Sequence, residues 1–200
     1  MNTRLTRLTF LVVAIWTGAG VPAHVQEDTR KLFESGQFQA VVDQTAPDAP
    51  AEAQYVKALS QLKLSQTDPA KDSFRLLESG GDAWRSIGEA AIASIDGNQD
   101  AALEAARLAV ERDSALWAAH YQLGLVLEIR GDNAAAADAF ARTTEANPQI
   151  AYAHYNAAMN FYKASRVDRM AVYFENFLKL APNAPERPAV ESIMRTVRGR

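Results

Sequence analysis

The chain has 200 residues, of which 48% are hydrophobic and 22% are charged, and these shares are ordinary for a folded protein. The net charge is -3 at pH 7, which argues against a general nucleic-acid binder. The sequence contains no cysteine, so disulfides, thiol catalysis, thiolate metal sites and a lipid-bearing cysteine are excluded.

The first residues differ in composition from the rest of the chain. Arg4 and Arg7 give a basic start, residues 8–16 (LTFLVVAIW) form an apolar run, and residues 21–23 (VPA) have a small-x-small pattern. These features predict a secretory signal peptide at residues 1–23. The alternative is an uncleaved anchor, but a spanning helix needs about 20 apolar residues and this run is much shorter. We therefore expect an exported chain, periplasmic in a bacterium or secreted, with no stable membrane anchor after cleavage.

The remaining chain is predicted to form helices separated by short breaks. Strong helix formers dominate, and no two-residue alternation of apolar and polar residues predicts a strand. The predicted breaks lie at residues 36, 45–50, 65–69, 79–82, 96–100, 130–133, 147–148 and 181–188. The intervening segments have the length of ordinary helices, and such short links favour antiparallel helical hairpins.

One dipeptide shows that the chain is periodic. His120-Tyr121 recurs downstream as His154-Tyr155, so the two copies are separated by one period of 34. Two further pairs have the same spacing, namely Phe140 with Phe174 and Pro148 with Pro182. A period of 34 is typical of a helix–turn–helix array, in which each hairpin must stack on its neighbours to bury its apolar face.

Residues 117–150 carry the most complete unit. Its pattern consists of His120-Tyr121, Leu123-Gly124, Leu127, Gly131-Asp132, Ala136, Phe140 and Pro148. In this pattern the chain resembles the tetratricopeptide repeat family. The unit at 151–184 follows it, with Ser165 where a glycine is usual and Met170 where a small residue is usual. Over residues 82–113 two alignments compete: Gly97, Ala102 and Ala106 fit the later turns, whereas Trp84, Ile87 and Gly88 fit two residues out of step.

The resemblance implies the overall architecture. We expect an all-α, right-handed α-solenoid of about four to five helix–turn–helix repeats over residues 24–184. In the segment 185–200, four apolar residues fall on one face of a helix, namely Val190, Ile193, Met194 and Val197. This segment is therefore predicted to be a C-terminal capping helix with a short tail.

The resemblance also implies a binding surface, because first helices line the concave groove in this family. The predicted partner-binding residues are Tyr121, Gln122, Leu125, Tyr152, Tyr155, Asn156, Met159 and Tyr162. Tyrosine supplies contact area with a polar tip, and the amides can donate to and accept from a peptide backbone. The alternative is that some of these tyrosines only pack against the neighbouring repeat. A clamp for a terminal carboxylate is disfavoured, since Lys163 is the only basic residue nearby.

Catalytic and metal chemistry find little support in the sequence. The three histidines, His24, His120 and His154, lie in separate segments, and no hydrolase, metalloprotease or P-loop motif is present. We therefore expect no enzyme activity, no catalytic residue, no cofactor and no metal site.

These observations predict a scaffold or adaptor that binds a peptide segment or a helix of another protein, in bacterial envelope assembly or secretion. No nucleic-acid partner is expected. One alternative is a self-associating structural oligomer. Another is an enzyme, or a non-catalytic regulatory subunit of an envelope enzyme.

Overall fold

The computed structural model describes residues 23–199, and it includes the side chains of residues 29–197. All but the last residue of the predicted signal peptide lies outside these residues, as does the side chain of His24. The described part contains eleven α-helices and no strand. The helices are α1 (Ala23–Glu34), α2 (Phe38–Gln44), α3 (Ala51–Lys63), α4 (Thr67–Arg75), α5 (Asp82–Ile95), α6 (Gln99–Arg112), α7 (Trp117–Ile129), α8 (Asn133–Ala146), α9 (Ala151–Lys163), α10 (Val167–Leu180) and α11 (Arg187–Arg198), with a 3-10 helix at Leu76–Gly80.

Consecutive helices pack against each other along the whole series. The first ten form five hairpins, each hairpin packs on the next, and α11 packs on α10. Val190 and Met194 of α11 are buried, and Ile193 and Val197 pack at the edge of the same core. The predicted all-α solenoid of four to five hairpins with a C-terminal capping helix is therefore confirmed.

The close approach of α7 and α8 depends on small residues. A Cβ atom at Gly124 would lie 2.7 Å from Cε1 of Phe140, which is closer than the two groups can approach. Phe140 and Ala136 are both fully buried. Gly124 thus makes room for the phenylalanine ring that fills the space between the two helices.

The structure decides between the two alignments of residues 82–113. α5 ends at Ile95 and α6 begins at Gln99, one full period before the corresponding points of α7 and α8. Ala90, which occupies the repeat position of Gly124, is buried in one cluster with Ala102 and Ala106. Gly88 packs on α4 instead, where a Cβ atom would lie 2.4 Å from the carbonyl oxygen of Phe74. The register of the turns is correct, and the out-of-step alignment of Gly88 was misleading.

The inner side of the array is closed by an aromatic cluster. The ring of Tyr55 on α3 lies 6.0 Å from Trp84, 5.9 Å from Trp117 and 6.5 Å from Tyr121, measured between ring centroids. The hydroxyl of Tyr55 donates to Oε1 of Gln122 at 3.0 Å. The helices α3 and α7 therefore meet across the concave side, although a whole hairpin separates them in the chain.

None of the helices between residues 23 and 199 combines the length and the apolar character needed to cross a bilayer.

Candidate partner-binding groove

A cavity of about 370 Å³ opens on the concave side, bordered mainly by α3, α5, α7 and α9. We call it the groove. Its lining residues are Phe33, Leu59, Leu62, Lys63, Phe74, Ala91, Ser94, Ile95, Tyr121, Gln122, Leu125, Glu128, Ile129, Tyr152 and Asn156. Most of the lining is apolar, which is typical of sites that bury a ligand side chain.

Two large apolar side chains stand at the surface of the groove. Leu62 of α3 is 36% exposed and Ile129 of α7 is 59% exposed. Single exposed apolar residues are common on folded proteins, but these two border one cavity. Covering both would remove apolar area from water, so this surface favours an apolar ligand.

Two amides in the lining each have one polar group engaged and one free. Oε1 of Gln122 accepts from Tyr55, and the Gln122 NH2 has no hydrogen-bond partner among the described residues. Nδ2 of Asn156 donates to the hydroxyl of Tyr121 at 3.0 Å, and within residues 23–199 its Oδ1 has no partner. The groove thus offers one free donor and one free acceptor, which are the groups that a peptide backbone requires.

A third polar atom lies beside them. Oγ of Ser94 is buried and has no hydrogen-bond partner in the described part of the chain. An unpaired buried hydroxyl is unfavourable, so a ligand group that reaches Ser94 would be stabilised by pairing with it.

Charge at the groove is small and mostly paired. Glu128 forms an ion pair with Lys163 at 2.6 Å. Lys63 has no carboxylate partner among the residues that the structure describes, and its Nζ lies 5.5 Å above the ring centroid of Tyr152. Burial raises the pKa of the Tyr121 hydroxyl, which therefore stays neutral. The mouth of the groove thus carries one unpaired positive charge.

Five of the eight predicted binding residues line the groove: Tyr121, Gln122, Leu125, Tyr152 and Asn156. Tyr121, Gln122 and Tyr152 are buried, so each presents only a small part of its surface. The other three, Tyr155, Met159 and Tyr162, do not border the cavity. A role of any of these residues in binding stays a prediction.

The three residues outside the groove lie in different surroundings. The ring of Tyr155 packs on α10, 6.2 Å from Phe174 and 5.1 Å from Phe177. Tyr121 packs in the same way on Phe140, at 5.4 Å. Met159 is partly buried against the core, and Tyr162 is 45% exposed. Tyr121 and Tyr155 thus both pack within the array, and whether Tyr155 also contacts a partner stays a prediction.

The sequence interpretation missed the groove residues that come from α1, α3 and α5. Ala91, Ser94 and Ile95 occupy the same repeat positions as Leu125, Glu128 and Ile129, so the register of the turns would have identified them. Leu62 and Lys63 match the same positions when α3 is aligned with α7, whereas Phe33 had no such signal, because the repeat pattern is weak before residue 51.

His120 and His154 have the same structural role in successive hairpins. Nε2 of His120 lies 2.9 Å from the carbonyl oxygen of Ser114, and Nε2 of His154 lies 3.0 Å from that of Pro148. Each ring thus links the start of a helix, α7 or α9, to the turn before it by a polar contact. Burial lowers the pKa of His154. Among the described residues, no three histidine, aspartate or glutamate side chains are grouped so as to hold a metal ion.

No protein-family model matches the sequence, and no curated protein matches it. Among solved structures, the chain is similar to TTC0263, a thermophilic TPR protein of Thermus thermophilus, with 20% identity, a TM-score of 0.58, and coverage of 86% of this chain and 97% of that one. YrrB, a TPR protein with an unusual peptide-binding site, is 20% identical, with a TM-score of 0.48. The match covers 80% of this chain and 87% of YrrB. MamA is 16% identical, with a TM-score of 0.49, and the match covers 81% of this chain and 96% of MamA. The similarity to TTC0263 shows that the described residues have the fold of a tetratricopeptide repeat solenoid.

Proposed function

We propose that this protein is a non-enzymatic interaction scaffold that binds a peptide segment or a helix of a partner protein in the groove. The observation that carries the proposal is the groove itself, an apolar cavity with Leu62 and Ile129 exposed at its surface and a free amide donor and acceptor in its lining.

The groove suggests how such a segment is held. Apolar side chains of the partner cover Leu62 and Ile129, and its backbone pairs with the NH2 of Gln122 and Oδ1 of Asn156. An acidic residue of the partner next to Lys63 finds an unpaired ammonium group. The proposed ligand is therefore an apolar segment with an acidic residue at one end.

The composition of residues 1–23 supports a location for this activity. A basic start, an apolar run and a small-x-small pattern are typical of export signals. We place the mature chain in the periplasm or outside the cell of a bacterium, with the partner a protein of envelope assembly or secretion.

The experiment that tests this function is affinity capture from envelope extract with matched surface variants. Ile129→Asp puts a charge on the groove, and Val172→Asp puts the same charge on α10 outside it. The two parent side chains are equally accessible, at 59% and 58%. We expect a protein captured by the parent and by Val172→Asp, and lost with Ile129→Asp.

Two outcomes contradict the proposal. Equal capture by Ile129→Asp and the parent would place binding outside the groove. Capture of the chain alone would instead support the self-associating oligomer.

A further inference from the structure

The first hairpin of the array reaches across to the fifth. The ring of Phe33 on α1 lies 5.1 Å from the ring of Tyr152 on α9, between centroids. Oε1 of Glu34 accepts a hydrogen bond from the backbone N–H of Ala151 at 3.0 Å, across 117 residues of chain. A Cβ atom at Gly36 would lie 3.2 Å from the ring of Pro185. Two contacts thus hold the end of α1 against α9, and the turn after α1 lies close to Pro185.

The contact of Glu34 replaces a local helix cap. Ala151 is the first residue of α9, and the side chain of Ile150 before it cannot accept a hydrogen bond. The first N–H groups of a helix lack partners within the helix and attract negative charge. The carboxylate of Glu34 satisfies one of them, so a residue of another hairpin acts as the cap of α9.

The contact of Phe33 covers part of the concave surface. Tyr152 lies on the inner side of α9 and borders the groove, yet only 3% of its surface is exposed. Phe33 packs edge-on against its ring, and the ammonium of Lys63 lies over it. The α9 end of the groove is therefore already occupied by an aromatic side chain with a carboxylate beside it.

We propose that α1 is an internal ligand of the groove, and that a partner segment with an aromatic residue followed by an acidic residue binds the same place by displacing α1. This inference rests on the proposed function and specifies both the partner chemistry and the regulation of that site. The aromatic ring takes the position of Phe33 on Tyr152, and the acidic group takes the position of Glu34 at the start of α9.

Ionisation of Glu34 makes the docking of α1 depend on pH. Burial raises the pKa of Glu34 to about 6, although the N–H of Ala151 and the charges of Arg30 and Lys31 act in the opposite direction. The other titratable groups on this side are Tyr121 of α7, Tyr152 of α9, Lys63 of α3 and Glu186, which accepts from the Tyr152 hydroxyl. Since burial disfavours the charged form, docking is strongest below about pH 4.5 and weakens as the pH rises through about 6.

The first test uses a labelled synthetic peptide with the sequence of residues 29–38, TRKLFESGQF, as the probe. It is titrated into the full-length wild-type chain and into a variant with Phe33→Ala and Glu34→Ala. In the wild type the tethered α1 competes at an effective concentration on the order of millimolar, so we expect binding at least tenfold weaker than to the variant. A peptide with alanine at the positions of Phe33 and Glu34 should not bind. Gln39→Ala, on an exposed position of α2, is the control and should behave as the wild type.

Equal binding to the wild type and the double variant, or binding of the alanine peptide, overturns the proposal. Circular dichroism of the double variant checks that its helices are retained. This test and the capture experiment can fail independently. Loss of capture with Ile129→Asp tests binding in the groove, whereas the peptide titration tests displacement of α1.

A second measurement leaves the α1 contacts unchanged. Because the chain has no cysteine, spin labels can be attached at Gln37→Cys and Asn183→Cys, two exposed positions that border one cavity beside α1. We expect a single short distance at pH 5, and at pH 7 a longer-distance population that grows when the peptide is added. Glu34→Gln should keep the short distance at both pH values. One unchanged distance under all these conditions overturns the proposal.

Discussion

Asn156 donates a hydrogen bond through Nδ2 to the hydroxyl of Tyr121 at 3.0 Å, and so joins the inner faces of α7 and α9. Tyr121 in turn lies beside Tyr55, whose hydroxyl donates to Gln122. The polar residues of the groove therefore support one another, and their positions are set before any ligand binds.

Removing the Tyr121 hydroxyl tests this arrangement. Tyr121→Phe leaves the NH2 of Asn156 without its acceptor, so we expect the free energy of unfolding to fall by about 0.5–1.5 kcal/mol. Urea denaturation followed by circular dichroism measures the change. Tyr162→Phe is the control, since this exposed hydroxyl has no hydrogen-bond partner among the described residues. Equal stability of the two variants would mean that the hydrogen bond contributes nothing.

At Gly124, the addition of a single methyl group should lower the stability of the folded chain. Gly124→Ala puts a Cβ atom 2.7 Å from the ring of Phe140, and overpacking of this kind costs about 1–3 kcal/mol. Because alanine favours a helix over glycine, a stabilised variant would show that α7 and α8 do not approach this closely. Phe140→Leu in the same chain should reduce the cost of Gly124→Ala, and a double-mutant cycle in urea measures this coupling.

Ser165 stands in a backbone conformation that suits glycine. Its φ is +60°, in the turn where the preceding unit has Gly131 at +83°. Ser165→Gly relieves a strain of about 1–2 kcal/mol but adds freedom to the unfolded chain, so we expect a net gain of up to about 1 kcal/mol. Ser192→Gly, within α11, should lower stability by about 0.5–1 kcal/mol. Thermal melting of the two variants should therefore shift in opposite directions, and shifts of the same sign would contradict the strained turn.

Substitution of Tyr155 tests whether this residue packs within the array or contacts the partner. Its ring contacts Phe174 and Phe177, and full truncation of a buried aromatic residue costs about 3–5 kcal/mol. Since Tyr155 is only partly buried, we expect Tyr155→Ala to lower the free energy of unfolding by about 2 kcal/mol. Tyr162→Ala, on an exposed residue, should change it little. If Tyr155→Ala abolishes partner capture without loss of stability, Tyr155 contacts the partner directly.

Stability should depend on pH through Glu34. Its pKa in the folded chain is raised from 4.5 to about 6, so the neutral form is favoured by folding. This contribution is fully present below about pH 4.5 and is lost as the pH rises through about 6. Glu34→Gln should therefore exceed the wild type by about 1–2 kcal/mol at pH 7.5 and equal it near pH 4. Urea denaturation at both pH values measures this difference, and Glu78→Gln, on an exposed glutamate, is the control. If Glu34→Gln and the wild type differed in stability by the same amount at both pH values, ionisation of Glu34 would be excluded as the source of the difference.

The period of 34 predicted the stacked hairpins because it reports contacts between neighbouring units, and the apolar face of residues 190–197 predicted the capping helix. Phe140 recurs as Phe174, and the position of Gly124 carries the small residues Ala90 and Ala158, because each hairpin must satisfy the same packing requirement. The contact between Glu34 and Ala151 joins units that are far apart in the chain, and no periodic signal reports it. Likewise, Tyr121 and Tyr155 share one repeat position, yet only Tyr121 borders the groove. The repeat pattern does not contain this difference, because it assigns the two tyrosines the same position.

The capping of Ala151 by Glu34 has a consequence for how the chain unfolds. In an open solenoid each repeat contacts only its neighbours, so stability is nearly a sum of local terms and the terminal repeats can fray on their own. Here the first and fifth hairpins stabilise each other, and neither end can open without loss of this contact. At pH 5, where α1 stays docked, we expect one cooperative transition in place of progressive melting from the termini. The high sequence separation of this closing contact should also make it one of the last to form during folding.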